Sequence, residues 1–310
     1  MKKLFTILYF LCLQTVTAQT TEIQEVEQLV TNYISPLPNA LGAGLNNAWW
    51  TTAKPHKKLG FDISLSITPI IIPDADKNFN IGNEGSFTGG KTATIFGGIK
   101  EGGAVNYVDS TIPMPNGVGI SFVATPMLQA GIGLPIKTEI DFRYSPEFKT
   151  KYFNLGLIGL GVKHDLLQWI PVLNKLPIDL SVMAGHSRLN TGFDIQGQGI
   201  DLNVQATTIN LLLSKKVALF TAYTGLGYNH TSSNITIILD EQNTSFLQSI
   251  ENIANINLSE LTTIEFENHT DLKANIGARI QLTLLTINAS YTVTQSGYKL
   301  FTAGVGVSLR

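Results

Sequence analysis

A two-residue alternation of apolar and polar side chains recurs along most of the chain. Residues 136–144 read I-K-T-E-I-D-F-R-Y, in which Lys137, Glu139, Asp141 and Arg143 alternate with apolar residues or threonine. Successive side chains of a strand point to opposite faces, so one face of this strand is apolar and the other is ionised. The pattern fits a soluble sandwich with its charges in water. It also fits an outer-membrane barrel whose apolar face meets lipid and whose charges line a wet interior.

The same period predicts ten strands. They cover residues 61–68, 117–134, 136–144, 152–163, 178–188, 200–213, 217–229, 273–281, 285–294 and 301–309. Short links are predicted near residues 135, 215–216 and 283, and longer ones at 71–116, 145–151, 190–199 and 230–269. Short turns at one end and long loops at the other are typical of outer-membrane barrels. Strands hidden within residues 86–110 would raise the count. The predicted fold class is therefore all-β, an antiparallel transmembrane outer-membrane β-barrel of about 10–14 strands.

Six ionised residues occupy positions that the alternation assigns to the polar face of their strands. A basic side chain that faced lipid at mid-depth would cost about 2–4 kcal/mol, and several such residues together are incompatible with a stable barrel. We therefore expect the set to face the lumen. It comprises Lys137, Glu139, Asp141, Arg143, Lys273 and Arg279. The mixed signs favour salt bridges over an ion-selective ring, and so a narrow, largely filled barrel.

A secretory signal peptide is predicted over residues 1–18. A basic start is followed by an apolar run that is too short to span a bilayer, and small residues precede a cleavage site before Gln19. The only cysteine, Cys12, lies inside this signal. Disulfides, thiolate metal sites and cysteine nucleophiles are therefore excluded from the mature chain.

Residues 19–57 are predicted to form a short N-terminal helix and a plug-like segment before the barrel of residues 58–310. A helical period runs to residue 34, and Pro36 and Pro38 are expected to stop it. A Gly/Ala-rich stretch then ends at Trp49 and Trp50. This stretch is either a linker or a plug in the barrel mouth.

Composition supports a membrane barrel over a soluble β-protein. Charged residues make up 14% of the chain, against roughly 25% in soluble domains, and there are 28 glycines. No segment after the signal has 18 consecutive apolar residues, so the sequence predicts no helical membrane span. The formal net charge of −2 offers no basic field, and no nucleic-acid partner is expected.

One acidic segment bears a limited similarity to a calcium loop. Asp74, Asp76, Asn78 and Asn80 place oxygen ligands at alternate positions, as a calcium loop requires. Phe79, however, stands where an EF-hand needs glycine. A polar external loop is the simpler interpretation, and no metal is expected.

No catalytic group is predicted. His186 and Ser187 are adjacent in a strand, so their side chains point to opposite faces and cannot act together. The sequence shows no Ser–His–acid constellation. We therefore expect neither enzymatic activity nor a cofactor.

Two segments carry a family resemblance that covers most of the mature chain. The first reads S-P-L-P-N-A-L-G-A-G-L-N-N-A-W-W-T-T-A-K-P-H-K-K-L-G-F-D, and the second reads G-V-K-H-D-L-L-Q-W-I-P-V-L-N-K-L-P. They resemble an uncharacterised family of Bacteroidetes outer-membrane β-barrels. More weakly, the Gly/Ala-rich stretch is similar to the hatch of FadL-like channels for hydrophobic compounds, a superfamily that also includes secretion-system accessories. Such barrels commonly end on an aromatic residue, whereas this chain ends Leu309-Arg310.

The resemblance implies localisation in the cell outer membrane, with membrane lipid as a partner. The leading hypothesis is passive, porin-like transport of a small hydrophobic compound, which would be the ligand. The alternative is a structural or docking barrel without transport, whose loops 71–116 and 230–269 bind a partner. A soluble secreted β-protein is the third hypothesis. The sequence leaves the cargo and the oligomeric state open.

Overall fold

The chain folds into a closed antiparallel barrel of ten strands. The computed structural model describes residues 22–149, 153–170, 176–195, 198–238, 249–250, 252–253 and 263–309. The strands are β1 Phe61–Ile71, β2 Asn78–Gly82, β3 Phe87–Ala93, β4 Ala104–Tyr107, β5 Ser110–Pro113, β6 Phe122–Leu134, β7 Thr138–Lys149, β8 Phe153–Asp165, β9 Asp179–Ile195, β10 Gln198–Val217, β11 Phe220–Ile238, β12 Thr263–Glu265, β13 His269–Leu282, β14 Leu285–Thr294 and β15 Lys299–Leu309. The predicted signal peptide and Cys12 lie outside the described residues.

The wall follows the chain almost without interruption. Its order is β10-β9-β8-β7-β6-β1-β15-β14-β13-β11, and the pairing of β10 with β11 closes the ring. The first and last strands meet in register from Phe61 opposite Leu309 to Ile71 opposite Lys299. This topology confirms the predicted all-β antiparallel barrel, with a strand count at the lower end of the expected range.

The two ends of the barrel differ. At one end, which we call the turn end, tight turns at residues 135–137, 218–219 and 283–284 join the strands. At the other, which we call the loop end, residues 72–121 connect β1 to β6.

Two of the predicted long loops are wrong. β7 continues to Lys149 and β9 continues to Ile195, so most of 145–151 and of 190–199 is strand. Outward side chains form an apolar belt around the middle of the wall and become polar toward the loop end, as at His186 on β9. The apolar–polar alternation therefore reverses its phase there, with apolar residues such as Leu189 now inside, although the hydrogen-bonded ladder continues.

Residues 72–121 form a small structure outside the wall of the barrel, which we call the head. It contains a four-stranded antiparallel sheet in the order β2-β3-β4-β5. Residues 86–110, where further strands could have raised the count, do contain β3 and β4, but these belong to this sheet and do not enlarge the barrel. The predicted strand 117–134 begins only at Phe122, because residues before it belong to the head.

Residues 22–57, which we call the internal segment, cross the barrel from the loop end to the turn end. Residues 22–34 form helix α1, and Pro36–Leu45 form helix α2. The prolines that were expected to end helical structure instead occupy the first turn of α2, where a missing N–H costs nothing. None of the helices in the described part of the chain has the length and hydrophobicity that a membrane span requires.

The loop-end half of the interior is an apolar core. Inward residues of the wall, such as Leu157, Leu202 and Ile235, pack there with Val30 of α1 and Leu37 of α2. Toward the turn end the interior becomes polar and charged. The barrel interior thus has an apolar upper layer in its loop-end half and a polar lower layer in its turn-end half. The internal segment passes through both layers.

Candidate functional site: the barrel interior

Arg143 on β7 and Trp49 of the internal segment lie at the centre of the polar layer. Each residue is only 1% exposed. The guanidinium carbon lies 3.7 Å from the centroid of the indole ring, within cation–π distance. The guanidinium also donates to the backbone carbonyls of Leu45 and Asn47, at 2.7 Å each, and to Oε1 of Gln129 at 3.0 Å. A charge on the wall therefore satisfies backbone acceptors that lie away from water.

Lys273 on β13 contacts the internal segment from across the barrel. Its ammonium donates to the carbonyl of Asn46 and lies 5.1 Å from the centroid of the Trp50 ring. Asn47 adds side-chain bonds to the same side, donating to Thr302 and accepting from Thr292, both at 3.0 Å. Residues 45–47 are thus bound from two opposite sides of the wall.

A second polar cluster lies near the turn end. Nε2 of His56 lies 2.8 Å from Oδ1 of Asp62, and the backbone N–H of His56 donates to Oε2 of Glu139 at 2.6 Å. The ammonium of Lys163 donates to Oε1 of Glu139 at 2.6 Å, and both side chains are buried. The cluster joins the end of the internal segment to β1, β7 and β8.

The same cluster contains a possible ligand set for a metal. Among the residues that the structure describes, His56, Asp62 and Glu139 are the one such group, with ligand atoms all within 4.8 Å of one another. Both carboxylate oxygens of Glu139 already accept hydrogen bonds, one of them from Lys163, whose positive charge would repel a cation. The arrangement therefore fits an ion-pair network better than a metal centre.

The structure brings five of the six predicted lumen residues into the interior. Asp141 accepts a hydrogen bond from Gln129 at 3.2 Å, and Arg279 donates to Thr51 of the internal segment at 3.1 Å. The five buried residues are Glu139, Asp141, Arg143, Lys273 and Arg279. Opposite charges lie together within the polar layer, and four of the five residues, all except Asp141, bond directly to the internal segment's backbone or side chains.

Lys137 does not face the lumen, and this part of the prediction is wrong. β7 begins at Thr138, and Lys137 occupies the turn between β6 and β7 with a φ of 48°. Its ammonium lies 3.1 Å from Oδ2 of Asp165. Ile136 and Lys137 continue the apolar–polar alternation in the sequence although the backbone has already turned.

Glycines on the wall make room for the two tryptophans. A Cβ at Gly161 would lie 2.8 Å from Cζ3 of Trp49, and one at Gly185 would lie 2.7 Å from Cε2 of the same ring. A Cβ at Gly225 would lie 3.0 Å from Cζ2 of Trp50. The wall is therefore shaped to the indole rings, since any larger residue at these positions would overlap them.

The residues of the calcium-like motif do not converge on one point. Asp74 pairs with Lys77 at 2.7 Å, whereas Asp76 accepts a hydrogen bond from the hydroxyl of Tyr298. Asn78 and Asn80 lie on β2. The two carboxylates thus serve different partners within the loop end of the protein.

Sequence reasoning missed four residues of the interior: His56, Asp62, Gln129 and Lys163. Asp62, Gln129 and Lys163 stand in the polar phase of β1, β6 and β8, so the period that identified Arg143 could also have identified them. His56 precedes the first strand and carried no such signal.

Comparison with solved structures shows low sequence identity and low structural scores. The attachment invasion locus protein Ail of Yersinia pestis is 9% identical, with a TM-score of 0.30 over 81% of this chain and 98% of that one. The β-domain of the Bordetella autotransporter BrkA is 11% identical, with a TM-score of 0.39 over 81% and 100%. The transport unit of the Escherichia coli autotransporter AIDA-I is 10% identical, with a TM-score of 0.37 over 88% and 99%.

The sequence itself identifies the family. No curated protein matches the chain. Residues 1–309, almost the whole sequence, match a single family. The chain therefore belongs to DUF6588, a family of unknown function.

Proposed function

We propose that this protein is an outer-membrane β-barrel that its own internal segment closes, and that it serves as a structural or docking barrel instead of an open pore. The observation that carries the proposal is the set of hydrogen bonds from Arg143 and Lys273 to the carbonyls of residues 45–47. Wall charges that would otherwise line a conducting lumen are used to hold a plug.

The outer surface supports a location in the outer membrane. Ile63, Leu65 and Ile67 on β1 point outward and are exposed, and equivalent apolar residues surround the wall. Such a belt has no partner in water and matches the lipid-facing band of outer-membrane barrels.

The width of the barrel supports a closed state. Interiors of eight-stranded barrels are just wide enough for side chains, whereas open aqueous channels are found with about 16–18 strands. Ten strands lie near the narrow end of this range. Trp49, Trp50 and the wall charges around them occupy the cross-section at mid-depth, where all of them are buried.

The head supports a docking role because it is bound firmly to the internal segment. The carboxylate of Glu25 on α1 accepts hydrogen bonds from the backbone N–H groups of Ser86 and Phe87, at 2.8 and 3.0 Å. The hydroxyl of Tyr33 donates to the carbonyl of Asn116 at 2.8 Å. Burial raises the pKa of Tyr33 to about 12, so the hydroxyl keeps its proton at physiological pH. The head and α1 therefore present one fixed surface at the loop end.

Single-channel recording tests the closed state. The purified protein in a planar lipid bilayer should give no resolvable current, and a variant that lacks residues 21–50 should conduct. Frequent large openings of the unmodified protein, or identical currents with and without residues 21–50, would contradict a plug.

Site-specific photo-crosslinking in intact cells tests docking. A crosslinker placed at Val108, which is 82% exposed in the head, should give a defined protein adduct. The matched control is Leu59, which is 72% exposed at the turn end and should not give the same adduct. Absence of any adduct from the head in intact cells would oppose the docking role.

Passive transport of a small hydrophobic compound, by the FadL-like route, is a second candidate. The observation that favours it is the apolar upper layer, since barrel interiors are usually polar. Displacement of α1 and α2 would uncover Leu157, Leu202 and Ile235, which could line a path for an apolar molecule. The transport hypothesis requires that the internal segment moves, whereas the docking hypothesis does not.

A disulfide lock separates the two candidates. Oγ1 of Thr52 and Oγ of Ser214 lie 3.3 Å apart, one on the internal segment and one on β10. In a Thr52→Cys, Ser214→Cys variant, oxidation should stop the uptake of radiolabelled decanoic acid if transport is the function, and reduction should restore it. Uptake that is the same under both conditions, or absent in cells that produce the unmodified protein, would argue against transport.

A further inference from the structure

A cavity of about 650 Å³ opens at the turn end of the barrel. The last residues of the internal segment, the β6–β7 turn and the start of β9 surround it. Volumes of this size are typical of sites for small ligands. The hydrogen bonds that hold residues 45–47 do not involve the residues that line this cavity, which lies at the opposite end of the barrel from the head.

The cavity has a strong excess of positive charge. Five lysines and two aspartates line it, namely Lys54, Lys57, Lys58, Lys137, Lys216, Asp165 and Asp179. Each aspartate is already paired, Asp165 with Lys137 at 3.1 Å and Asp179 with Lys54 at 3.8 Å. Lys57 and Lys58 have exposed side chains, and the described residues offer their ammonium groups no carboxylate partner. A bound anion would supply the missing negative charge.

Apolar side chains form the other wall of the cavity. They are Leu134, Pro135, Ile136, Leu176, Pro177 and Ile178. Ile136 is exposed, and Trp169 beside this end of the barrel is 66% exposed. An exposed tryptophan next to an apolar belt is typical of the zone where lipid headgroups lie. The apolar wall of the cavity is thus continuous with the surface that we assign to lipid.

We propose that this cavity binds the phosphate group of an anionic phospholipid, with the acyl chains running along the apolar wall. The lysines supply the charge that a phosphate needs, and the apolar residues supply the surface that an acyl chain needs. Free phosphate esters share the first requirement but lack the second. The proposal rests on the proposed membrane location and is independent of whether the barrel docks a partner or transports a compound.

Calorimetric titration of the full-length protein in neutral detergent tests this site. The probes are dihexanoyl phosphatidylglycerol, which is anionic, dihexanoyl phosphatidylcholine, which is zwitterionic, and glycerol 3-phosphate, which has no acyl chain. We expect the first probe to bind most tightly. Each lysine near an anionic headgroup contributes roughly a fivefold gain in affinity. A Lys57→Gln, Lys58→Gln, Lys216→Gln variant should therefore weaken binding by about 100-fold.

The matched control removes the same charge elsewhere. Lys91, Lys100 and Lys299 are exposed and lie at the loop end, and their replacement by glutamine should leave the affinity unchanged. Equal losses in the two triple variants, or phosphatidylcholine binding as tight as phosphatidylglycerol binding, would overturn the site. Glycerol 3-phosphate binding as tight as the lipid would overturn the role of the apolar wall. The single variants Lys57→Gln and Lys58→Gln should each retain the fold and show a partial loss of affinity for phosphatidylglycerol. If neither variant loses affinity, the proposal is also overturned.

Discussion

Replacement of Arg143 by methionine should release the internal segment from the wall. The substitution keeps an unbranched apolar stem of similar length but removes the guanidinium. The carbonyls of Leu45 and Asn47 and the amide oxygen of Gln129 then lose their donor. Trp49 loses the cation above its ring.

The magnitude follows from these losses. Each buried acceptor left without a donor costs about 1–3 kcal/mol, and a desolvated cation–π contact contributes about 2 kcal/mol. Relief of the cost of burying a guanidinium offsets part of this total. Removal of one partner of a buried charged network typically costs about 3–5 kcal/mol. Because each 1.4 kcal/mol changes an equilibrium about tenfold, the population with a released internal segment should rise by roughly 10²–10⁴-fold.

Tryptophan fluorescence can report this release directly. The chain has three tryptophans, of which Trp49 and Trp50 are buried in the internal segment and Trp169 is exposed. In a Trp169→Phe background the emission comes from the internal segment alone. The Arg143→Met variant should show red-shifted emission and stronger quenching by acrylamide. In urea titrations these fluorescence changes should occur at lower urea concentrations than the loss of β-structure, which far-ultraviolet circular dichroism measures.

The matched control is Arg188→Met, the same substitution on an exposed position of β9. It should leave the emission and the urea midpoint nearly unchanged. If Arg143→Met behaves like this control, the guanidinium does not hold the internal segment, and the proposed plug loses its main support. A shift in both signals together would instead show that the internal segment and the wall unfold as one unit.

Three further predictions concern packing, pH and the membrane face. Gly185→Ala should destabilise the fold by about 1–3 kcal/mol in urea titrations, because the new Cβ would overlap Trp49, and Trp49→Phe should recover part of that loss. Burial raises the pKa of Asp76 despite the hydrogen bond from Tyr298, so its ionised form weakens the fold, and stability should rise as the pH falls through that raised pKa. Asp76→Asn should remove this pH dependence in thermal melts without loss of stability at pH 7. Tyr298→Phe should lower the stability at pH 7. Equal effects of the two variants would contradict the assignment of the pH dependence to Asp76. Leu211→Arg, on an outward position that is 50% exposed, should cost about 2–4 kcal/mol in lipid bilayers, and a neutral effect would argue against a lipid-facing belt.

Period-two patterning was sufficient to predict the barrel because a wall with one apolar face and one polar face imposes that period on every strand. It located β14 and β15 almost to the residue. It failed at the end of β9 because the phase of the alternation reverses there. Beyond the apolar belt the outward residues are polar, as at Arg188 and Asn190, and the inward face carries apolar Leu189. At Lys137 it failed for a different reason, since a tight turn can preserve the alternation while the backbone reverses.

The interior was only partly predictable. The sequence places Arg143 and Lys273 on the inner face, but it does not show that their partners are the backbone carbonyls of residues 45–47. Those contacts join residues about 100 and 230 positions apart in the chain, and they exist only after the wall has closed. Glycines such as Gly185 likewise reveal their role only when the tryptophan that they accommodate is in place.

The path of the internal segment constrains how the protein can assemble. The segment enters the interior at the loop end and leaves at the turn end, where β1 begins, and β1 pairs with β15, the last strand of the chain. A helix with its side chains is about 10–12 Å wide, so α1 and α2 cannot be pulled through a wall that has already closed around packed side chains. We therefore expect the segment to lie against the growing sheet before β1 meets β15. On this order of events the N-terminal residues would serve as an internal template for the wall, and pairing of the first and last strands would enclose them.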